Sequence, residues 1–265
     1  MPQLLLGLLF ALIIAFLAYR ARSLSRSGAY AAILVGTLIF GLGGWQWAII
    51  LLTFFVSSSA LTRLFGKRKA ALNEKFEKGG PRDAAQVLAN GAVASLFAGL
   101  HFFFPAAAWP WLAFSASMAA VNADTWATEL GVLNPVPPRL ITNGKSVDRG
   151  TSGAISFYGM LSSLAGAALV AILAAVLNPY NHSSLITYYF LLITLAGITG
   201  ALFDSLLGAT VQAIYRCPRC DKDTERHPIH TCGAETTQLR GWKWLNNDMV
   251  NLACATAGAM IGLLL

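Results

Sequence analysis

Apolar residues collect in long blocks along this chain, at 4–19, 29–42, 45–62, 84–104, 109–130, 153–177, 186–215 and 249–265. Most approach the roughly 20 residues with which an α-helix crosses a bilayer, so the pattern predicts about eight transmembrane helices. The block at 29–42 is short and ends among Gly41, Gly43 and Gly44, so a tilted or re-entrant hairpin with the next block is an alternative there. The polar interruptions are more informative than the blocks. The stretch NADTWATELG, 122–131, sets an Asp and a Glu where a membrane helix normally carries leucine. Carboxylates are costly in lipid and mark function more often than packing; the competing reading is a polar helix end in the headgroup layer.

Composition narrows the class. Hydrophobic residues make up 56% of the 265 and charged residues 12%, with a mean hydropathy of +0.59. An all-α polytopic membrane protein follows, with 1–265 as a single transmembrane domain and 216–243 as an insertion. The first block is followed, not preceded, by Arg20, Arg22 and Arg26, which is the opposite of a signal peptide and predicts a retained helix.

Charge fixes the expected orientation. All 19 Lys and Arg fall into four segments: three at 20–26, seven at 63–82, three at 139–149 and six at 216–243. The alternate connections carry none, so the positive-inside rule makes these four basic loops cytoplasmic and puts both the N-terminus and the C-terminus outside. The net charge of +7 is accounted for by those loops. It suits anionic headgroups or a phosphorylated substrate, and there is no nucleic-acid module.

This topology assigns a depth to each polar residue. Arg82, Gln86 and Asn90, four apart, form a stripe on the cytoplasmic half of their helix. Asn122, Asp124, Thr128 and Glu129, then Asp204, Ser205 and Gln212, then Asn246, Asn247, Asp248 and Asn251 fall at the same level. At about 100° per residue Asn122 and Glu129 share a face while Asp124 lies on the opposite side, beside Thr128. Either that helix unwinds before Gly131 or it stands in the middle of the bundle with partners on both sides. Gly197, Gly200, Asp204 and Gly208 form a small-residue face for close helix packing.

Two connections add candidate chemistry. In 137–156, Arg139, Lys145 and Arg149 precede Gly150, Thr151, Ser152 and Gly153, read as the opening of the next helix. Backbone N–H groups there suit phosphate oxygens, although the P-loop pattern is missing and an N-capped helix after a basic loop explains the same residues. Carboxylates opposite such a loop suit Mg²⁺. In 217–233, Cys217, Cys220 and Cys232 with His227 or His230 have the types and spacing of a zinc knuckle; unlinked or redox-responsive thiols are the alternative. Cys254 reads as packing, and His101 lies near the outer end of its helix.

Taken in order, SGAYAAILVGTLIFGLGGW, the Arg82–Gln86–Asn90 stripe, NADTWATELG, PRLIT with GTSGAIS, DSLLGATVQ and NNDMVN resemble the integral-membrane family of plant chloroplast phytyl-phosphate kinase and its uncharacterised transmembrane homologues. That family is in turn distantly similar to dolichol kinase and CDP-diacylglycerol synthase. The resemblance implies a nucleotide-dependent kinase that converts an isoprenyl (phytyl- or geranylgeranyl-type) monophosphate to the diphosphate at the cytoplasmic face, with CTP or ATP as donor. The alternatives are a CTP-dependent cytidylyltransferase on a lipid phosphate and an ion-coupled transporter. Under the kinase reading Asp124, Glu129 and Asp204 are expected to hold Mg²⁺. Arg82, Arg139 and Lys145 neutralise phosphates, Thr151 and Ser152 cradle them, and Gln86, Asn90, Asn122, Gln212, Asn247 and Asn251 orient substrate or water. Expected partners are membrane lipid, the prenyl phosphate and the nucleotide, with a homodimer allowed, in the plasma membrane of a prokaryote.

Overall fold

The computed structural model describes residues 2–69, 75, 80–180 and 185–264. Lys78 of the second basic loop, part of the 178–184 connection and Leu265 of the last expected span lie outside them.

The chain is a mostly helical membrane protein, with eight α-helices among the described residues: α1 (Pro2–Arg20), α2 (Arg26–Leu38), α3 (Trp45–Lys69), α4 (Ala84–Phe103), α5 (Trp109–Gly131), α6 (Phe157–Val176), α7 (Ile186–Thr210) and α8 (Asn247–Leu263). Six are long and apolar enough to cross a membrane; α5 and α8 are not among them. The doubtful second block belongs to the six, because α2 continues through a π turn at Ile39–Gly43 before the chain reverses at Gly44.

Packing follows residue size. On α1 the buried positions are Gly7, Ala11, Ala15 and Ala18, while Leu5, Leu9, Phe16 and Leu17 are exposed. Small residues thus face α2, where a side chain on Gly7 would meet the backbone of Gly41, and large ones face outward, as suits lipid. The centre is α5. Positions 110–123 are buried throughout, and α5 packs on α3, α4, α6, α7 and α8. Its Ala and Ser residues admit those backbones closely, and such an axial helix needs less hydropathy than a lipid-facing one. It stays helical to Gly131, so the second of the two arrangements expected for it is the one observed.

Three boundaries differ from expectation. Gly150–Gly153 do not open α6: Gly150 and Gly153 have φ of 78° and 79°, incompatible with helix, and Ser156 caps α6 by accepting from Gly159 N. Residues 139–155 instead form a short hairpin, β1 (Arg139–Leu140) against β2 (Ala154–Ile155). The seventh helix ends at Thr210, not 215, and the insertion folds as an antiparallel sheet with β3 (Ile214–Cys217) between β4 (Lys222–Thr224) and β5 (Thr237–Arg240). The last helix begins before Met249, because Asn246 caps it through Met249 N at 3.1 Å.

At the end of the bundle remote from the insertion, Trp47, Trp111, Phe114 and His101 pack ring on ring, and His101 Nδ1 lies 3.0 Å from the Tyr180 hydroxyl.

Candidate functional site

A cleft of about 600 Å³ opens where α3 and α5 end, α4 and α8 begin, and the 149–156 loop crosses α7. That volume is typical of small-molecule sites. Its wall contains Arg82, Gln86, Asn90, Asp124, Glu129, Thr151, Ser152, Asp204, Asn247 and Asn251, drawn from segments far apart in the sequence.

The cleft straddles the end of α5, and its two sides differ. Toward α3 and α4, Glu129 is buried and accepts from the Thr62 hydroxyl at 3.0 Å. Arg82 faces the same side, its guanidinium 5.5 Å from the ring centre of Phe54 and 5.9 Å from that of Phe55. The backbone around Arg82 is strapped to the α1–α2 turn: Arg82 N donates to Ser23 O at 3.0 Å, and Ser25 N donates to Arg82 O at 2.9 Å. Gly28 makes this approach feasible, since a Cβ there would lie 2.0 Å from Arg82 O. Burial pushes the Arg82 guanidinium below the usual arginine range, and the Glu129 charge opposes that shift. Toward α7 and α8, Asp204 lies within electrostatic reach of Asp124 and Glu225. Asp204 Oδ2 is buried and has no hydrogen-bond partner among the described residues. The helical-wheel arithmetic that set Asp124 opposite Glu129 thus corresponds to two faces of one cleft.

Other expected residues sit elsewhere or are already engaged. Asn122 is fully buried outside the cleft wall: its amide donates to Gly166 O at 2.8 Å and its carbonyl accepts from Ser57 and Ser58 at 3.2 and 3.4 Å, joining α5 to α6 and α3. Such bonds between membrane helices are worth about 0.6 kcal/mol each on average. Asn122→Ala is therefore expected to lower stability by about 2 kcal/mol and to leave KM nearly unchanged, as thermal unfolding and steady-state kinetics in detergent would show.

Gln86 completes a capping box with Asp83 at the start of α4, so its backbone N–H and Oε1 are committed. Gln212 is 1% exposed, accepting from Ser152 at 2.5 Å and donating to Glu225 Oε1 at 3.0 Å. Arg139 donates to Gly144 O at 2.8 Å, and Lys145 is exposed on the same hairpin turn; neither lines the cleft. The glycines of α7 serve packing: side chains at Gly197 and Gly200 would strike Ala119 and Ala120, and one at Gly208 would strike Ser152 and Gly153 of the loop.

The cleft also holds Arg149 and Asp248, placed by loop and depth but given no role from the sequence, and Arg22, Arg63 and Glu225, which the sequence did not single out for the site. Arg63 bonds Ala21 O and the Ser23 hydroxyl, and Arg149 donates to Asn134 O at 2.7 Å and Pro135 O at 3.0 Å. Every arginine in a basic loop has a topogenic explanation, so charge counting alone could not rank these. Ile155, Met160, Ala201 and Leu202 complete the wall with an apolar side.

In the insertion, donor atoms of Cys217, Cys220, His230 and Cys232 all lie within 4.8 Å of one another. His227 stacks instead on Tyr215, with ring centres 4.3 Å apart. Hydrogen bonding to His230 brings the Cys232 thiol down to about 6, whereas its bond with Cys232 pushes the Cys220 thiol up to about 11.

The family described as integral membrane protein DUF92 matches residues 9–259. Protein PGR of Arabidopsis thaliana is 32% identical over 270 residues, spanning 94% of this chain and 91% of that protein. An uncharacterized membrane protein of Methanocaldococcus jannaschii is 30% identical over 263 residues, spanning 99% and 94%. Protein VTE6, chloroplastic, of Arabidopsis thaliana is 27% identical over 246 residues, spanning 91% and 65%. No solved structure matches the chain significantly.

Proposed function

The chain belongs to the DUF92 family of integral membrane proteins, and on that premise we propose that its cleft transfers a phosphoryl group from a nucleoside triphosphate to an isoprenyl monophosphate. The observation that carries this reading is the composition of one cleft: arginines, carboxylates and apolar residues line one wall, with Glu129 beside Arg82 and with Asp124 and Glu225 beside Asp204. A lipid phosphate has both a charged head for the arginines and a tail for Ile155, Met160 and Leu202. The family resemblance supplies the reaction type and the prenyl class of the acceptor.

The carboxylate side fits a hard divalent cation. Asp204 Oδ2 is buried without a hydrogen-bond partner among the described residues, and two further carboxylates lie within its electrostatic reach. Such a gathering of like charge is costly unless a cation offsets it. Asp124 and Asp204, with Glu225 in place of the expected Glu129, which accepts from Thr62 on the Arg82 side, are the residues that would hold Mg²⁺, and bound there it would offset charge on the phosphates. Arg82, with Arg22, Arg63 and Arg149, would bind and orient the phosphates. Thr151 and Ser152 would bound the pocket from the loop, although the Ser152 hydroxyl is already committed to Gln212. An oxygen of the lipid phosphate attacks the γ-phosphorus, the β–γ bridging bond breaks, and the nucleoside diphosphate leaves. The acceptor is already ionised near neutral pH, so no strong base is needed, and positioning with charge neutralisation supplies most of the rate.

The test uses purified protein with Mg²⁺, CTP or ATP, and phytyl or geranylgeranyl monophosphate, with the lipid product read by mass spectrometry. Gain of one phosphoryl group is the expected product. A cytidylyl lipid would replace the kinase with a cytidylyltransferase using the same cleft. Absence of any lipid product, together with ion flux into liposomes, would favour transport and sink the proposal.

A further inference from the structure

The insertion between α7 and α8 is more than a loop that returns the chain to the membrane. It is fastened to the end of α7 at several points. Arg240 donates to Thr210 O at 3.2 Å and Gly208 O at 2.9 Å, meeting carbonyls that a helix C-terminus leaves unpaired. Trp242 N donates to Val211 O at 2.9 Å, and Gly241 lies so close that a Cβ would be 2.0 Å from Gln212 O. From this base two turns project. One carries Cys217 and Cys220 between β3 and β4; the other carries His230 and Cys232 before β5.

The two turns meet at the four donor atoms. Cys217 Sγ is 3.5 Å from Cys232 Sγ, and His230 Nδ1 is 3.3 Å from Cys232 Sγ and 3.7 Å from Cys220 Sγ. With zinc–ligand bonds of about 2.0–2.3 Å, tetrahedral geometry sets ligand atoms roughly 3.3–3.8 Å apart. Three thiols with one imidazole, three of their pairs at that spacing and all within 4.8 Å, suit a soft-to-borderline tetrahedral ion. Between the turns runs 224–228. Thr236 binds the middle and the far end of this segment, its hydroxyl donating to Arg226 O at 3.1 Å and its N–H to Pro228 O at 2.9 Å. Glu225 leaves this segment for the cleft, where Gln212 holds its carboxylate.

We propose that Cys217, Cys220, His230 and Cys232 bind one Zn²⁺, and that closing this site fixes the 224–228 segment so that Glu225 stands in the cleft wall. His227 is not a ligand. The site is a structural one, closed by four protein ligands, so zinc acts on the cleft only through where Glu225 is held. The use of Glu225 in catalysis rests on the phosphoryl-transfer reading, but zinc binding and the order of 224–228 do not. Both can therefore fail or succeed whatever the enzyme's substrate.

The test is metal analysis and hydrogen exchange on the full-length protein in detergent. About one zinc per chain is expected, retained in His227→Ala and falling below about a tenth in His230→Ala and Cys232→Ser. Stripping zinc with a chelator is expected to speed amide exchange at 224–228 by at least about tenfold, leaving α5 unchanged. The α5 amides also show whether a variant that loses zinc has kept its fold. Zinc absent from the wild type, or lost from His227→Ala and kept in His230→Ala, overturns the ligand assignment. Zinc present with exchange at 224–228 indifferent to its removal overturns the brace.

Discussion

Asp204→Asn is expected to lower turnover by roughly 100- to 1,000-fold, the range seen when one electrostatic partner of a charged transition state is removed, while raising the midpoint of thermal unfolding measured without Mg²⁺. The two effects have one cause. Asp204 lies on the buried side of the cleft with Asp124 and Glu225 within electrostatic reach, and its Oδ2 has no hydrogen-bond partner among the described residues. Without a cation the folded protein bears that repulsion, and neutralising one carboxylate relieves it. With a cation the same carboxylate is a ligand, and its loss removes charge stabilisation. Activity and stability therefore move in opposite directions, the usual sign of a site selected for function over rigidity. Asp204→Asn that, without Mg²⁺, unfolds more readily than wild type would identify Asp204 as a structural residue and contradict the assignment.

Arg82→Ala is the second large effect, a loss of about 1,000-fold in kcat/KM, at the lower end of what a charge-neutralising arginine contributes to phosphoryl transfer. Arg82→Lys should recover only part of it. Lysine keeps the charge but not the flat guanidinium that lies over the Phe54 and Phe55 rings at 5.5 and 5.9 Å. The folded state should tolerate both changes, because the contacts at this position that join α4 to the α1–α2 turn are made by the backbone, through Ser23 and Ser25. Steady-state kinetics with unfolding curves on the same preparations would measure this. Arg82→Ala within a few-fold of wild type would remove Arg82 from the site.

Both residues were visible in the sequence for the same reason. A buried carboxylate or guanidinium at a membrane helix end is expensive, and several helices agreeing in the depth of such groups is a signal that hydropathy and charge distribution carry by themselves. The angular offset of Asp124 from Glu129 was also legible; it left an unwound helix end or a helix with partners on two sides, and the second is observed. What stayed hidden depended on hydrogen bonds. Asn122 and Glu129 share a face of α5, yet one is engaged by Gly166, Ser57 and Ser58 while the other reaches the cleft. Gln212 lies near the end of α7 with the polarity of a ligand-binding residue, but its amide is divided between Ser152 and Glu225.

The loop at 150–153 misled in another way. Small and hydroxyl residues suit a helix start, but the positive φ of Gly150 and Gly153 ends that option, and Ser156 takes the cap. A side chain at Gly153 would lie 2.2 Å from Ala209 N, so the glycine there serves the crossing of α7. Glu225 was beyond reach of periodicity altogether. It belongs to an insertion whose sequence advertises cysteine and histidine, and only the fold of that insertion returns the carboxylate to the membrane domain.

Phosphoryl transfer by this one cleft is tested most directly by following γ-labelled nucleotide. Wild-type protein and Asp204→Asn would be incubated with Mg²⁺, labelled CTP or ATP, and phytyl monophosphate, and the label partitioned between lipid and water. Label entering the lipid as a diphosphate in wild type, and reduced at least about 100-fold in Asp204→Asn, is the predicted result. Label remaining in water with every nucleotide, or entering lipid equally in the variant, would contradict the account.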